Sequence, residues 1–123
     1  LEPRQQWLRG SGDTKIPVTE NGMKFVIDLA AGQKTGLFLD QREARALVRK
    51  FAKGRTVLDC CSYVGGFSVA ALLGGALSAD AVDYDEAALA TAAAHASYPG
   101  SRTWRPRSST CGPAATCTAT RPG

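Results

Sequence analysis

The sequence predicts an α/β fold: the opening of a doubly wound parallel sheet, preceded by a β-hairpin. Three observations carry this reading. Residues 56–68, Thr-Val-Leu-Asp-Cys-Cys-Ser-Tyr-Val-Gly-Gly-Phe-Ser, read as a buried strand running into a glycine turn and a helix start. A second strand, residues 77–83, and an alanine-rich helix opened by Asp85 and Glu86 follow, so the order is strand, turn, helix, strand, turn, helix. Upstream, Ile16 and Val18 alternate, and the apolar run through Phe25 and Ile27 resumes after Asn21-Gly22, the dipeptide of a tight hairpin turn.

In chain order, residues 1–13 are polar and punctuated by glycine, with Trp7 and Leu8 as apolar anchors, and read as a connector. The hairpin follows, and residues 30–39 read as a loop. Asp40 with Glu43 three residues later forms a capping-box pattern, and Ala44, Leu47, Val48 and Phe51 share one face at helical spacing. A helix is therefore predicted there, stopped by Gly54. The strand 56–60 comes next, then a short apolar helix, 67–73, closed by Gly74 and Gly75. The strand 77–83 carries Asp80 in its middle, where a strand buried on both faces prefers Val or Ile. The last predicted helix runs from Asp85 to about His95, and His95 itself is expected to be exposed.

From residue 96 the character changes. Residues 96–123 contain no Leu, Ile, Val, Phe or Met and no acid, but four prolines and four arginines. Such a segment buries too little apolar surface to offset the entropy of ordering, so disorder is predicted. A natural basic linker is one account. The sharper one is a reading frame broken near Ser97, leaving a tail unrelated to the fold, because the later strands of a doubly wound domain are missing from the pattern. The organisation expected is a connector and hairpin over 1–39, the start of the α/β domain over 40–95, and the tail over 96–123.

At 123 residues the chain holds at most one small domain or part of a larger one, and its ends read as cut. A formal charge of +4 permits attraction to phosphate backbones without establishing it. No run approaches the length of a membrane helix and no leader pattern opens the chain, so a cytoplasmic setting is expected. Four cysteines, at 60, 61, 111 and 117, fit no common zinc spacing. Cys60 and Cys61 are expected as small buried hydrophobes and the other two as incidental thiols.

The glycine turn is where chemistry is expected. Glycines let the backbone approach a ligand that a Cβ would exclude, and the first helix turn offers N–H groups to it. Asp83 ends the second strand where a ribose diol would meet a carboxylate. There is no G-x-G-x-x-G, which disfavours a nicotinamide cofactor. An Asp at the strand end before the turn, here Asp59, instead resembles the first motif of class I S-adenosylmethionine-dependent methyltransferases.

Two blocks narrow the resemblance. Residues 32–42, Gly-Gln-Lys-Thr-Gly-Leu-Phe-Leu-Asp-Gln-Arg, followed by Val-Leu-Asp at 57–59 and Ser-Tyr-Val-Gly-Gly-Phe-Ser at 62–68, look like the bacterial ribosomal RNA large-subunit methyltransferase I family, which makes 5-methylcytosine. The resemblance covers residues 16–95 and implies a partial Rossmann-like methyltransferase sheet with S-adenosylmethionine as cofactor and ribosomal RNA as partner. It implies that residues 34–42 fold over the cofactor, with Phe38, Asp40, Gln41 and Arg42 near it and Arg42 suited to pair with the methionine carboxylate. Asp59 would face the methionine amino group, Ser62, Tyr63, Gly65 and Gly66 would line the turn, and Asp83 would accept both ribose hydroxyls. Plainer roles stand beside these: Asp40 as a helix cap, Tyr63 as a packing residue, Asp83 as a solvated strand-end acid.

The chain also departs from the family. Cys60 and Cys61 stand where it usually has Leu-Phe, Asp80 where it has an apolar residue, and His95 where it tends to have Asn. An unpaired carboxylate inside a sheet is costly, so Asp80 is expected to disturb packing. Methylation at carbon 5 of cytosine needs a thiolate that adds to carbon 6, and the family's Pro-Pro motif and later cysteine find no match here. The reading is a fragment of a ribosomal RNA cytosine-C5 methyltransferase with the cofactor half-site, no catalytic residue and no metal, and no turnover alone. The alternative is a basic RNA-binding remnant without chemistry.

Overall fold

The computed structural model describes residues 7–30, 36–97 and 104–108. Strands β1 (Lys15–Glu20) and β2 (Met23–Asp28) form the hairpin, with Glu20 opposite Met23. Asn21 at φ 49° and Gly22 at φ 78° make the two-residue turn left-handed at both positions, the geometry that matches strand twist. The alternation predicted from the sequence decides the faces: Met23, Phe25 and Ile27 are buried, while Lys24 and Val26 are exposed.

After a 3-10 turn (Leu39–Gln41), helix α1 (Arg42–Phe51) leads into strand β3 (Thr56–Cys60). Helix α2 (Gly66–Leu73), strand β4 (Ser78–Asp83), helix α3 (Glu86–Ala96) and strand β5 (Trp104–Ser108) follow. The sheet order is β3-β4-β5, all parallel, with Asp59 opposite Ala81 and Ala79 opposite Trp104. Asp59, Ala79, Ala81 and Asp83 lie on one face and are buried beneath α2 and α3. Among the described residues the opposite face carries no helix, and Leu58 on it is 65% exposed.

The hydrophobic core joins the two halves of the chain. Met23, Phe25 and Ile27 of the hairpin pack with Leu37, Val64, Val69 and Ala70. The fully buried apolar residues of the sheet are the alanines Ala79 and Ala81, so the hairpin supplies bulk that the sheet lacks.

Several expectations are corrected. The capping box at Asp40 does not form: Phe38 and Gln41 precede the 3-10 turn and α1, and neither makes a side-chain cap bond. The apolar face expected on α1 is buried only in part: Ala44 and Val48 are half-buried, but Leu47 is 56% and Phe51 62% exposed while Arg45 is buried. Cys60 and Cys61 are exposed, because β3 ends there on the uncovered face and Cys61 enters the turn at φ 57°. Trp104–Ser108 forms a strand inside the tail expected to be disordered. Its sequence signal is weak, but as an edge strand among the described residues it tolerates Pro106, which has no N–H to donate. Residues 98–103 and 109–123, with Cys111 and Cys117, lie outside the described residues.

Asp80 disturbs packing less than expected. It is half-buried on the face away from the helices, and the register sets it opposite Arg105.

His95 is buried, not exposed. Its Nδ1 meets the Val64 carbonyl at 3.0 Å and therefore carries the proton, leaving Nε2 to accept the Val26 N–H at 2.9 Å. The ring also stands edge-on to Phe25, with centroids 5.3 Å apart. One imidazole thus ties the free edge of the hairpin to the turn before α2. His95→Ala leaves both backbone groups without partners, each worth about 1–3 kcal/mol when buried. A drop of that order in urea-unfolding free energy is expected, with His95→Asn recovering part of it.

Candidate functional site

The carboxyl ends of β3 and β4 bring Asp59 and Asp83 together on the covered face. The two are close enough for the Asp83 charge to act on Asp59. Open α/β sheets hold ligands outside the carboxyl ends of their strands, which is where this pair stands.

Asp59 is 7% exposed. Its Oδ2 accepts both the Ser68 N–H at 3.0 Å and the Ser68 hydroxyl at 2.7 Å, so it caps α2 from the neighbouring strand. The Ser68 N–H is thereby taken by the protein rather than offered to a ligand. Burial pushes the Asp59 carboxyl above its ordinary value of 3.8; the Ser68 bonds oppose that shift and the Asp83 charge adds to it. Asp83 is 8% exposed; its Oδ2 accepts the Tyr63 N–H at 2.7 Å and its Oδ1 the Asp85 N–H at 3.0 Å. A carboxylate has about four acceptor positions, so each Asp83 oxygen keeps one for a diol.

The turn between them is tightly constrained. Cys61, Tyr63 and Gly65 have φ of 57°, 49° and 74°, so three of five residues are left-handed. Ser62 N–H donates to Val82 O at 3.0 Å, binding the turn to β4. The glycines answer to the protein as well as to any ligand. A Cβ on Gly65 would stand 2.8 Å from the Ala92 Cβ of α3, and one on Gly66 would stand 3.1 Å from Arg45 Cδ.

The Phe38 ring meets the Tyr63 ring edge-on at 5.6 Å, adding a wall to the same region. Asp40, Gln41 and Arg42 are exposed: the Gln41 N–H returns to Phe38 O at 3.2 Å, and Arg42 Nη2 donates to Asn21 Oδ1 of the hairpin turn at 3.3 Å. The sequence reading missed Arg45, which is buried between the hairpin and the turn. Only its place four residues after the 3-10 turn would have pointed to it. A cavity of about 1200 Å³ lies to one side, between the hairpin and α3, and shares Tyr63 but neither carboxylate with the predicted set. Buried chemistry, not cavity size, marks the site.

The residues fit a cationic, ribose-bearing ligand. Two carboxylates suit an ammonium and a diol, and Ser62 Oγ is buried without a partner among the described residues, the state of a group awaiting one from a ligand. No group of three metal-ligating side chains occurs among the described residues, and none of their helices is long and apolar enough to cross a membrane.

Fold and site together define an α/β domain of the class that takes nucleoside-bearing ligands outside the carboxyl ends of its strands. The description of S-adenosylmethionine-dependent methyltransferases matches residues 2–101. Ribosomal RNA large subunit methyltransferase I of Erwinia tasmaniensis is 50% identical over 74 residues, which are 60% of this chain and 19% of that protein. The enzyme of the same name from Alteromonas mediterranea is 45% identical over 100 residues, 81% of this chain and 25% of its own length. A chain assigned as a methyltransferase and crystallised with SAH superposes with a TM-score of 0.70 at 33% identity, over 79% of this chain and 27% of that one. The chain belongs to the S-adenosylmethionine-dependent methyltransferase family. It spans about a fifth to a quarter of the length of these curated relatives.

Two measurements check the site. A carboxyl raised above its unfolded value keeps a proton that the unfolded chain has lost. Asp59 therefore detracts from stability once pH rises past 3.8, and the deficit is complete above its folded-state value. Asp59→Asn is expected to melt higher than the parent at neutral pH, with the two melting temperatures converging toward pH 3.8; a gap independent of pH contradicts this. Gly65→Ala is expected to lose more stability than Gly54→Ala. Both have positive φ, which costs about 1–2 kcal/mol, but only Gly65 adds an overpacking term of about 1–3 kcal/mol against Ala92.

Proposed function

We propose that this chain carries the cofactor-holding part of a ribosomal RNA cytosine-C5 methyltransferase acting in the cytoplasm. The observation that carries the reading is the pair of buried carboxylates, Asp59 and Asp83, at the ends of adjacent parallel strands beside a left-handed glycine turn. The curated relatives, named as ribosomal RNA large subunit methyltransferases, support the choice of substrate. When bound, S-adenosylmethionine supplies a methyl group on a sulfonium, activated for attack.

The chain's own residues bind and orient. Asp83 accepts the two ribose hydroxyls while its protein bonds hold it in place, and Asp59 faces the methionine ammonium. Such pairing offsets the burial that raises its carboxyl. Ser62, Tyr63, Gly65 and Gly66 line the turn, and Phe38 closes on Tyr63. Asp40, Gln41 and Arg42 lie over the open side, with Arg42 leaving Asn21 to pair with the methionine carboxylate. Its present bond is exposed and 3.3 Å long, a modest one to exchange.

A second reading rests on charge. Between residues 42 and 55, Arg42, Arg49, Lys50, Lys53 and Arg55 face one acid, Glu43, once Arg45 is neutralised by Glu20. That segment can hold RNA phosphate without chemistry, and salt-dependent RNA binding unchanged by the cofactor would favour it.

Isothermal titration with S-adenosylmethionine separates the readings. Binding is expected for the parent, with Asp83→Ala weaker by roughly 10- to 100-fold, the worth of a charged hydrogen-bond acceptor. No heat of binding overturns the first reading. Methyl transfer to ribosomal RNA by this polypeptide alone is not expected.

A further inference from the structure

Resting on that cofactor reading, we propose that Arg45 is a positioning residue that sets the segment carrying Phe38 over the cofactor turn. Arg45 is 2% exposed although it sits in a helix whose Leu47 and Phe51 face solvent. Its fork meets the Glu20 carboxylate with two bonds of 2.7 Å, Nε to Oε1 and Nη2 to Oε2. The remaining nitrogen, Nη1, donates to the Phe38 carbonyl at 3.0 Å. The side-chain stem runs beside Gly66, within 3.1 Å of where a Cβ there would stand. One guanidinium thus joins the end of the hairpin, the segment before α1 and the glycine turn.

Stability alone does not call for this arrangement. A buried ion pair is matched or bettered by apolar side chains of similar volume, because desolvation offsets most of its attraction. What apolar side chains cannot do is donate to Phe38 O. That carbonyl precedes the 3-10 turn and also receives the Gln41 N–H. Phe38 packs on Tyr63, and the Tyr63 N–H holds Asp83. The line from Glu20 through Arg45, Phe38 and Tyr63 to Asp83 therefore fixes the wall of the cofactor site from outside it. The rigid fork makes three bonds at set angles, which lysine cannot reproduce.

The test uses the double variant Glu20→Leu/Arg45→Met, which removes the ion pair without leaving a buried charge, and the single variant Arg45→Lys. S-adenosylhomocysteine is the probe, read by titration calorimetry. Amide hydrogen exchange of residues 36–42 is read beside exchange of β3 and β4. The expected result is a double variant that melts near the parent temperature but binds about tenfold more weakly. Exchange should be faster over 36–42 and unchanged in the sheet, with the same pattern in Arg45→Lys. A folded double variant with parental affinity or parental exchange over 36–42 overturns the role of Arg45. If the double variant does not fold, Arg45→Lys decides by the same two readouts. A parent that binds no S-adenosylhomocysteine overturns the cofactor reading together with this one, whereas a parent that binds beside an equally tight variant overturns this one alone.

Discussion

The turn from β3 into α2 is the constraint from which the rest of the structure follows. Three of its residues are left-handed, and the protein holds it from several sides. Ala92 closes on Gly65, Arg45 lies along Gly66, His95 takes the Val64 carbonyl and Asp83 takes the Tyr63 N–H. These partners come from three elements, α1, α3 and β4. The strain of a left-handed backbone persists only where its surroundings over-determine it, and here α1, α3, the hairpin and β4 do so together.

The same contacts explain why the hairpin belongs to the domain rather than hanging from it. A three-stranded sheet whose fully buried apolar residues are two alanines has little apolar bulk, and Phe25, Met23 and Ile27 supply it. His95 and Arg45 then fasten the two ends of the hairpin with polar bonds whose geometry admits one arrangement. Apolar packing provides the driving force; the buried polar groups select among the ways of packing.

Much of the architecture was legible along the chain. Asn21-Gly22 marked the hairpin, Asp85 marked the start of α3 through its bonds to the Ala87 and Ala88 N–H groups, and the acids at 59 and 83 marked the strand ends. What misled were residues whose burial is decided by partners distant in sequence. Leu47 and Phe51 have the spacing of a buried face, yet the face that turns inward is the one carrying Arg45, because Glu20 waits there. His95 has no ligand set nearby in sequence, but Val26 and Val64 reach it from 69 and 31 residues away. The strand at 104–108 has almost no apolar signal and is recruited by the open edge of β4.

By itself, then, the sequence determined the elements from the hairpin to α3, their order and the two acids at the strand ends, since those depend on local backbone preference and short-range periodicity. Tertiary structure alone decided which face of α1 is buried, that a histidine bridges hairpin and turn, and that an arginine rather than a ligand crowds Gly66. The physical reason is that a buried charge or imidazole is tolerable only where complementary groups converge on it, and that convergence belongs to the folded chain.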